Sequence, residues 1–173
     1  MRSNDPDFAG RTGSGSRPLY TPDQRRRRDA TRWTLVQGIL APVQFLIFLI
    51  SATLVLRYLA IGEGATAATV SIVVKTCALY AIMVTGSIWE KIVFGKWLFV
   101  PAFFWEDVFS MLVLALHTAY LVALISDFGT ERGRMLLALA AYATYAINAG
   151  QFLLKLRTAR LQGVSVATVA VAG

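Results

Sequence analysis

Four long apolar runs separated by short polar turns occupy the chain after residue 32. The first covers residues 33–58 (WTLVQGILAPVQFLIFLISATLVLRY), the second 67–91, the third 102–126 and the fourth 133–157 (GRMLLALAAYATYAINAGQFLLKLR). Each holds roughly 25 residues, or about 37 Å of helix, enough to cross a hydrocarbon core with some tilt. Pro42 lies inside the first run and is expected to kink it. Pro101 suits the first turn of the third. The glycine-rich IGEGAT joins the first run to the second, and the polar SDFGTERG joins the third to the fourth. The connection IVFGKWLFVP is itself apolar and reads as lying in the interface. The pattern predicts an all-α integral membrane protein, a four-transmembrane-helix bundle over residues 32–158.

Residues 1–31 are polar, rich in Gly, Ser, Pro and Arg, and end near the run Arg25, Arg26, Arg27, Arg28. They read as a disordered basic cytoplasmic arm. The apolar run that follows is too long for a signal peptide and shows no cleavage site, so it reads as a retained first span. Residues 159–173 read as a flexible tail.

Composition agrees with the spans: 56% of residues are hydrophobic and the mean hydropathy is +0.57. The net charge of +7 raises nucleic acid as a partner, but its distribution argues against that. Eight of the 17 basic residues precede residue 33, and most of the others flank apolar runs. One side of the bundle collects 13 of them, including Lys91, Lys96, Lys155, Arg157 and Arg160; the other holds three, Arg57, Arg132 and Arg134. By the positive-inside rule both termini are cytoplasmic. The remaining base, Lys75, falls inside a span, where it is either functional or snorkels outward on its long stem. The single cysteine, Cys77, excludes an internal disulfide and reads as inert filling.

Intramembrane polar residues are costly and turn toward the bundle interior. Counting antiparallel helices from their outer ends places Ser51, Lys75, His117 and Tyr142 in one layer and Gln44 and Asn148 in a deeper one. A cytoplasmic-side layer holds Gln37, Ser87, Glu90, Glu106, Asp107, Gln151 and Lys155. The faces agree. Gln37, Gln44 and Ser51 recur every seven residues; Thr76, Tyr80, Met83, Ser87 and Glu90 share a stripe, as do Glu106, Ser110, Val113, His117 and Tyr120. Inward stripes would enclose a pocket open to the cytoplasm. All four tryptophans, Trp33, Trp89, Trp97 and Trp105, fall at that end. They read as an interfacial belt, or, since belts normally mark both interfaces, as a seat for a flat aromatic ligand.

The stretches WTLVQGILAPVQFLIFL and YAIMVTGSIWEKIVFGKWLFVPAFFWEDVFSMLVLALHTAYL, with IWEK and PAFFWED the most specific parts, resemble the 3-vinyl (also 2-vinyl) bacteriochlorophyllide hydratase family over roughly residues 28–125. The resemblance implies a bacterial inner-membrane enzyme, in the cytoplasmic or intracytoplasmic membrane. It implies a hydro-lyase that adds water to the C3-vinyl group of a chlorophyllide-type macrocycle, giving a 3-(1-hydroxyethyl) group on the way to bacteriochlorophyll a. The implied partners are the (bacterio)chlorophyllide, the lipid bilayer and other pigment-biosynthesis enzymes. No cofactor is implied, since the magnesium belongs to the substrate.

That chemistry needs an acid to protonate the terminal vinyl carbon and a base to orient the water. Burial and a neighbouring carboxylate both keep a carboxyl protonated. Glu90, Glu106 and Asp107 form the candidate set, with Glu106 the first choice because it shares the stripe of Ser110 and His117. The competing reading is helix-end electrostatics for Glu106 and Asp107 and, for Glu90, pairing with Lys91, Lys96 or Lys155. Asp107 points about 100° away from Glu106 and reads also as a cap or pair. His117 reads as an axial ligand to the substrate magnesium or as a buried histidine beside Tyr142 or Lys75. About 16 Å of helix separates it from Glu106, too far for one macrocycle to have its metal at the first and its vinyl at the second. Ser87, Trp89, Trp105, Tyr80, Gln37 and Asn148 are candidates to line the pocket, and Lys96 to hold a propionate. Two other functions fit the pattern: a non-catalytic membrane carrier for the same pigment, and a haem electron-transfer subunit. One histidine per chain argues against bis-histidine haem.

Overall fold

The computed structural model describes residues 19–171, with side chains through Arg157. It contains α1 (Pro22–Ala30), α2 (Arg32–Ile61), α3 (Ala65–Phe94), α4 (Phe104–Ile125) and α5 (Glu131–Val171). The described residues form helices joined by short connections. Four of these helices are long and apolar enough to cross a membrane: α2, α3, α4 and α5 as far as Arg157. The first runs unbroken through Pro42.

Two antiparallel hairpins make the bundle, α2 with α3 and α4 with α5. Three residues turn the first hairpin, with Gly62 and Gly64 at φ 77° and 82°, backbone that a Cβ would strain. The hairpins meet chiefly where α2 packs on α5 and α3 on α4. Val55, Ile72, Tyr120, Met135 and Tyr142 form the core at the turn end. Leu79, Val113 and Tyr145 form it at mid-bundle.

The outside is apolar and the inside partly polar, the reverse of a soluble bundle. Leu35, Ile50, Val84 and Ile125 are exposed, while Lys75, His117, Gln44 and Ser51 are buried. A hydrocarbon surrounding explains this arrangement, because lipid solvates the outer leucines and only the interior can pair the polar groups. The protein is a multi-pass membrane protein.

Residues 1–18 of the arm, expected to be disordered, lie outside the described residues. Residues 22–30, in the same expectation, form α1 instead. Thr21 and Gln24 make a reciprocal capping box, with Pro22 in the first turn. Tyr20, just before it, is buried among Phe94 and Phe103 and docks this segment on the end of α3. The backbone of α5 continues helical past residue 158, where a flexible tail was expected; its side chains there lie outside the described residues.

Candidate active site: buried carboxyls at one end of the bundle

The connection between α3 and α4 brings three carboxyls together. Gly95, at φ 80°, caps α3, and Lys91 donates to its carbonyl at 3.0 Å. The chain then crosses to α4 through Phe99, held in the left-handed region at φ 57°. The Phe99 N–H donates to Asp107 Oδ2 at 2.7 Å, so the first turn of α4 anchors the strained residue and is itself oriented by it.

Asp107 is buried, and its carboxyl lies within hydrogen-bonding reach of that of Glu90 on α3, also buried. A hydrogen bond between two carboxyls requires a proton on one of them. Glu90 Oε2 is buried and receives no hydrogen bond. Glu106 faces α5, where Lys155 Nζ meets its Oε2 at 2.6 Å, and the same ammonium donates to the Ala102 carbonyl. Only 8% of the Glu106 side chain is exposed. The cluster therefore has two compartments, a carboxyl–carboxyl pair and a carboxylate–ammonium pair, one residue apart on α4.

Aromatic rings roof it. Tyr20, Trp89, Phe94, Phe103 and Phe152 pack edge-on, tilted or stacked at centroid distances from 5.7 to 6.5 Å. Lys155 lies 5.0 Å from the Phe103 centroid. The Arg28 guanidinium covers Tyr20 at 4.8 Å; burial pushes the Tyr20 phenol up from its ordinary value, and Arg28 opposes the rise.

The candidate residues divide. Glu90, Glu106 and Asp107 come together, with Trp89 beside Glu90, donating from Nε1 to Thr34 at 3.0 Å. Ser87, half-buried one turn before Glu90, bonds its own helix at Met83. Asn148 is buried and donates to Ser110, one turn along α4 from Glu106. Gln37 bonds Thr85 at 2.7 Å and pins α2 to α3. Tyr80 turns to Thr118 at the bundle's edge. Lys96 is exposed. Trp105 is 66% exposed and meets Phe104 edge-on, outside the cluster. His117 is buried against Tyr142, its Nδ1 at the Val113 carbonyl, about three turns from the carboxyls. Lys75 does not snorkel: it is fully buried, with Nζ 3.8 Å from the Tyr145 centroid. A groove of about 700 Å³ follows the outer face of α4 near its far end, lined by Leu114, Thr118, Val122 and Phe128 among others.

Sequence reasoning offered Lys155 to Glu90, whereas it pairs with Glu106, and missed Tyr20. The Thr-Pro-Asp-Gln capping pattern at residues 21–24 was the available signal that the arm becomes ordered there. Trp89→Ala is expected to cost about 2–3 kcal/mol, for lost ring packing and the Thr34 bond. Trp105→Ala should stay within about 0.5 kcal/mol. Unfolding in mixed micelles checks both; equal losses would mean that the two rings do not differ as described.

A four-span helical membrane protein with its ionisable chemistry gathered at one end is the class that fold and site define. The chain belongs to the 2-vinyl bacteriochlorophyllide hydratase family (BCHF), whose sequence profile matches residues 20–158. It is 71% identical over 146 residues to the 2-vinyl bacteriochlorophyllide hydratase of Cereibacter sphaeroides, covering 84% of this chain and 90% of that protein. It is 66% identical over 147 residues to the one of Rhodobacter capsulatus, covering 85% of each. No solved structure matches the chain.

Proposed function

We propose that this protein hydrates the C3-vinyl group of a (bacterio)chlorophyllide to the 3-(1-hydroxyethyl) product in bacteriochlorophyll synthesis, using the buried carboxyl cluster. Family membership supports the reaction. The observation that carries the mechanism is the Glu90–Asp107 carboxyl pair set beside the Glu106–Lys155 ion pair.

The roles follow from those surroundings. The proton held between Glu90 and Asp107 passes to the terminal vinyl carbon, leaving a cation on the adjacent carbon that the conjugated ring spreads. The resulting anionic pair stabilises that cation. Water adds to the cation, and its surplus proton goes to Glu106, which Lys155 orients. Return of that proton to the Glu90–Asp107 pair closes the cycle. This moves the acid from Glu106, the first choice on the stripe, to the pair beside it. Addition of water changes no net oxidation state, so the step draws on no redox cofactor, and the magnesium travels with the substrate.

The amphiphilic macrocycle reaches the cluster from the bilayer with its vinyl edge leading, under the aromatic roof at Trp89 and Phe103. Lys96, exposed at the same end, meets its propionate. The 13-to-three bias in Lys and Arg supports a cytoplasmic side for this end and both termini, in the bacterial inner membrane that the proposed function requires. His117, about 16 Å of helix from Glu106, is not assigned to the magnesium.

Expression in a non-phototrophic host, with added vinyl pigment, is the test. Accumulation of the hydroxyethyl product, followed by its absorption shift and chromatography, is the expected result. Pigment retained by the purified protein without conversion would leave a carrier, not a hydratase.

A further inference from the structure

Midway along the bundle, all four long helices contribute buried polar atoms that no protein group satisfies. They are Gln44 Oε1 and Nε2, Lys75 Nζ, His117 Nε2 and Asn148 Oδ1. The residues are no more than 7% exposed. They lie along the bundle interior over about two helical turns, from the level of Ser110, which Asn148 bonds, to that of His117. Lys75 Nζ lies on the Tyr145 ring, and Lys75 and His117 are near enough to interact electrostatically. Phe48 packs on that same ring at 4.9 Å, with Gln44 one turn away on α2; Asn148 follows Tyr145 by three residues on α5.

Buried polar groups in folded proteins are nearly always paired with protein or with bound water. A water needs two to four polar partners, and this region supplies donors from Lys75 and Gln44, acceptors from Asn148 and Gln44, and the free Nε2 of His117. On the turn side, Ser51 closes the region by bonding both Tyr142 and Ser71, at 2.5 and 2.7 Å. On the other side, Asn148 bonds Ser110, one helical turn from Glu106.

We propose that this region is a binding site for a small cluster of internal waters, held by Gln44, Lys75, His117 and Asn148, and that it supplies the reacting water to the carboxyl cluster past Ser110. The supply role rests on the hydratase reading; the water site itself does not. It gives His117 and Lys75 a use that ligation of the substrate magnesium does not require.

Radiolytic hydroxyl-radical labelling of the protein in micelles tests the site, because bound water generates radicals in place. Each rate divided by that of the same residue in the unfolded protein, His117 and Tyr145 should be modified several times faster than Met135, which like His117 is 1% exposed but lies in an apolar cluster. Scaled rates at His117 and Tyr145 no higher than at Met135 would overturn the water site. Gln44→Leu should lower labelling at Tyr145 several-fold and lower kcat about tenfold, with vinyl-pigment binding unchanged. Wild-type turnover in a Gln44→Leu protein that has lost the label would overturn the supply role. Labelling needs no turnover, so absence of hydration in the wild-type protein would count against the hydratase reading alone.

Discussion

Glu90→Gln and Asp107→Asn are each expected to lower the rate of vinyl hydration about 100- to 10,000-fold, the range associated with a single positioned proton donor. The reason is the pairing across α3 and α4. In the proposed mechanism the two carboxyls share one proton, and an amide at either position ends that sharing. Both substitutions preserve shape, and an amide can donate to the remaining carboxylate, so the fold and the binding of vinyl pigment should survive. Product formation in membranes, normalised to pigment bound, is the measurement. If either variant turns over at the wild-type rate, the pair is not the acid. Loss of pigment binding in step with activity would instead mean a structural role.

The second large effect is at Lys155. Lys155→Met leaves the Glu106 carboxylate buried with its cation removed. Breaking one side of a buried pair costs roughly 3–5 kcal/mol, and about 2–3 kcal/mol is expected here because the Lys155 side chain is 28% exposed. Hydration should fall with it, since the proposed base loses its orienting partner. Adding Glu106→Gln to Lys155→Met removes the stranded charge and should restore most of the stability while leaving the protein inactive. Unfolding in mixed micelles and product assays on the two single variants and the double variant separate the terms. Full activity in the double variant would remove Glu106 from the mechanism.

These expectations rest on different parts of the chain. The spans were legible because a run of apolar residues long enough to cross a bilayer is a local property, independent of what packs against it. The inward stripes were legible for the same reason: the seven-residue spacing of Gln37, Gln44 and Ser51 follows from helical geometry alone. The layer containing Ser51, His117 and Tyr142 is also seen in the structure, because antiparallel hairpins of similar length align their levels. The end of the bundle that carries the carboxyls could likewise be read from residue order.

What the sequence by itself determined is therefore the number of spans, their inward faces and the end at which the acids collect. Which acid meets which partner was decided only by the tertiary structure. Glu106 against Lys155 and Glu90 against Asp107, rather than the reverse, depends on the rotation of α4 about its own axis, which turns one acid toward α5 and the next toward α3. The docking of Tyr20 on Phe94 and Phe103, and the inward course of Lys75 rather than an outward one, were settled in the same way. Such choices arise from packing between segments far apart in the chain, where a shift of one or two residues exchanges neighbours without altering the hydrophobic pattern of either helix.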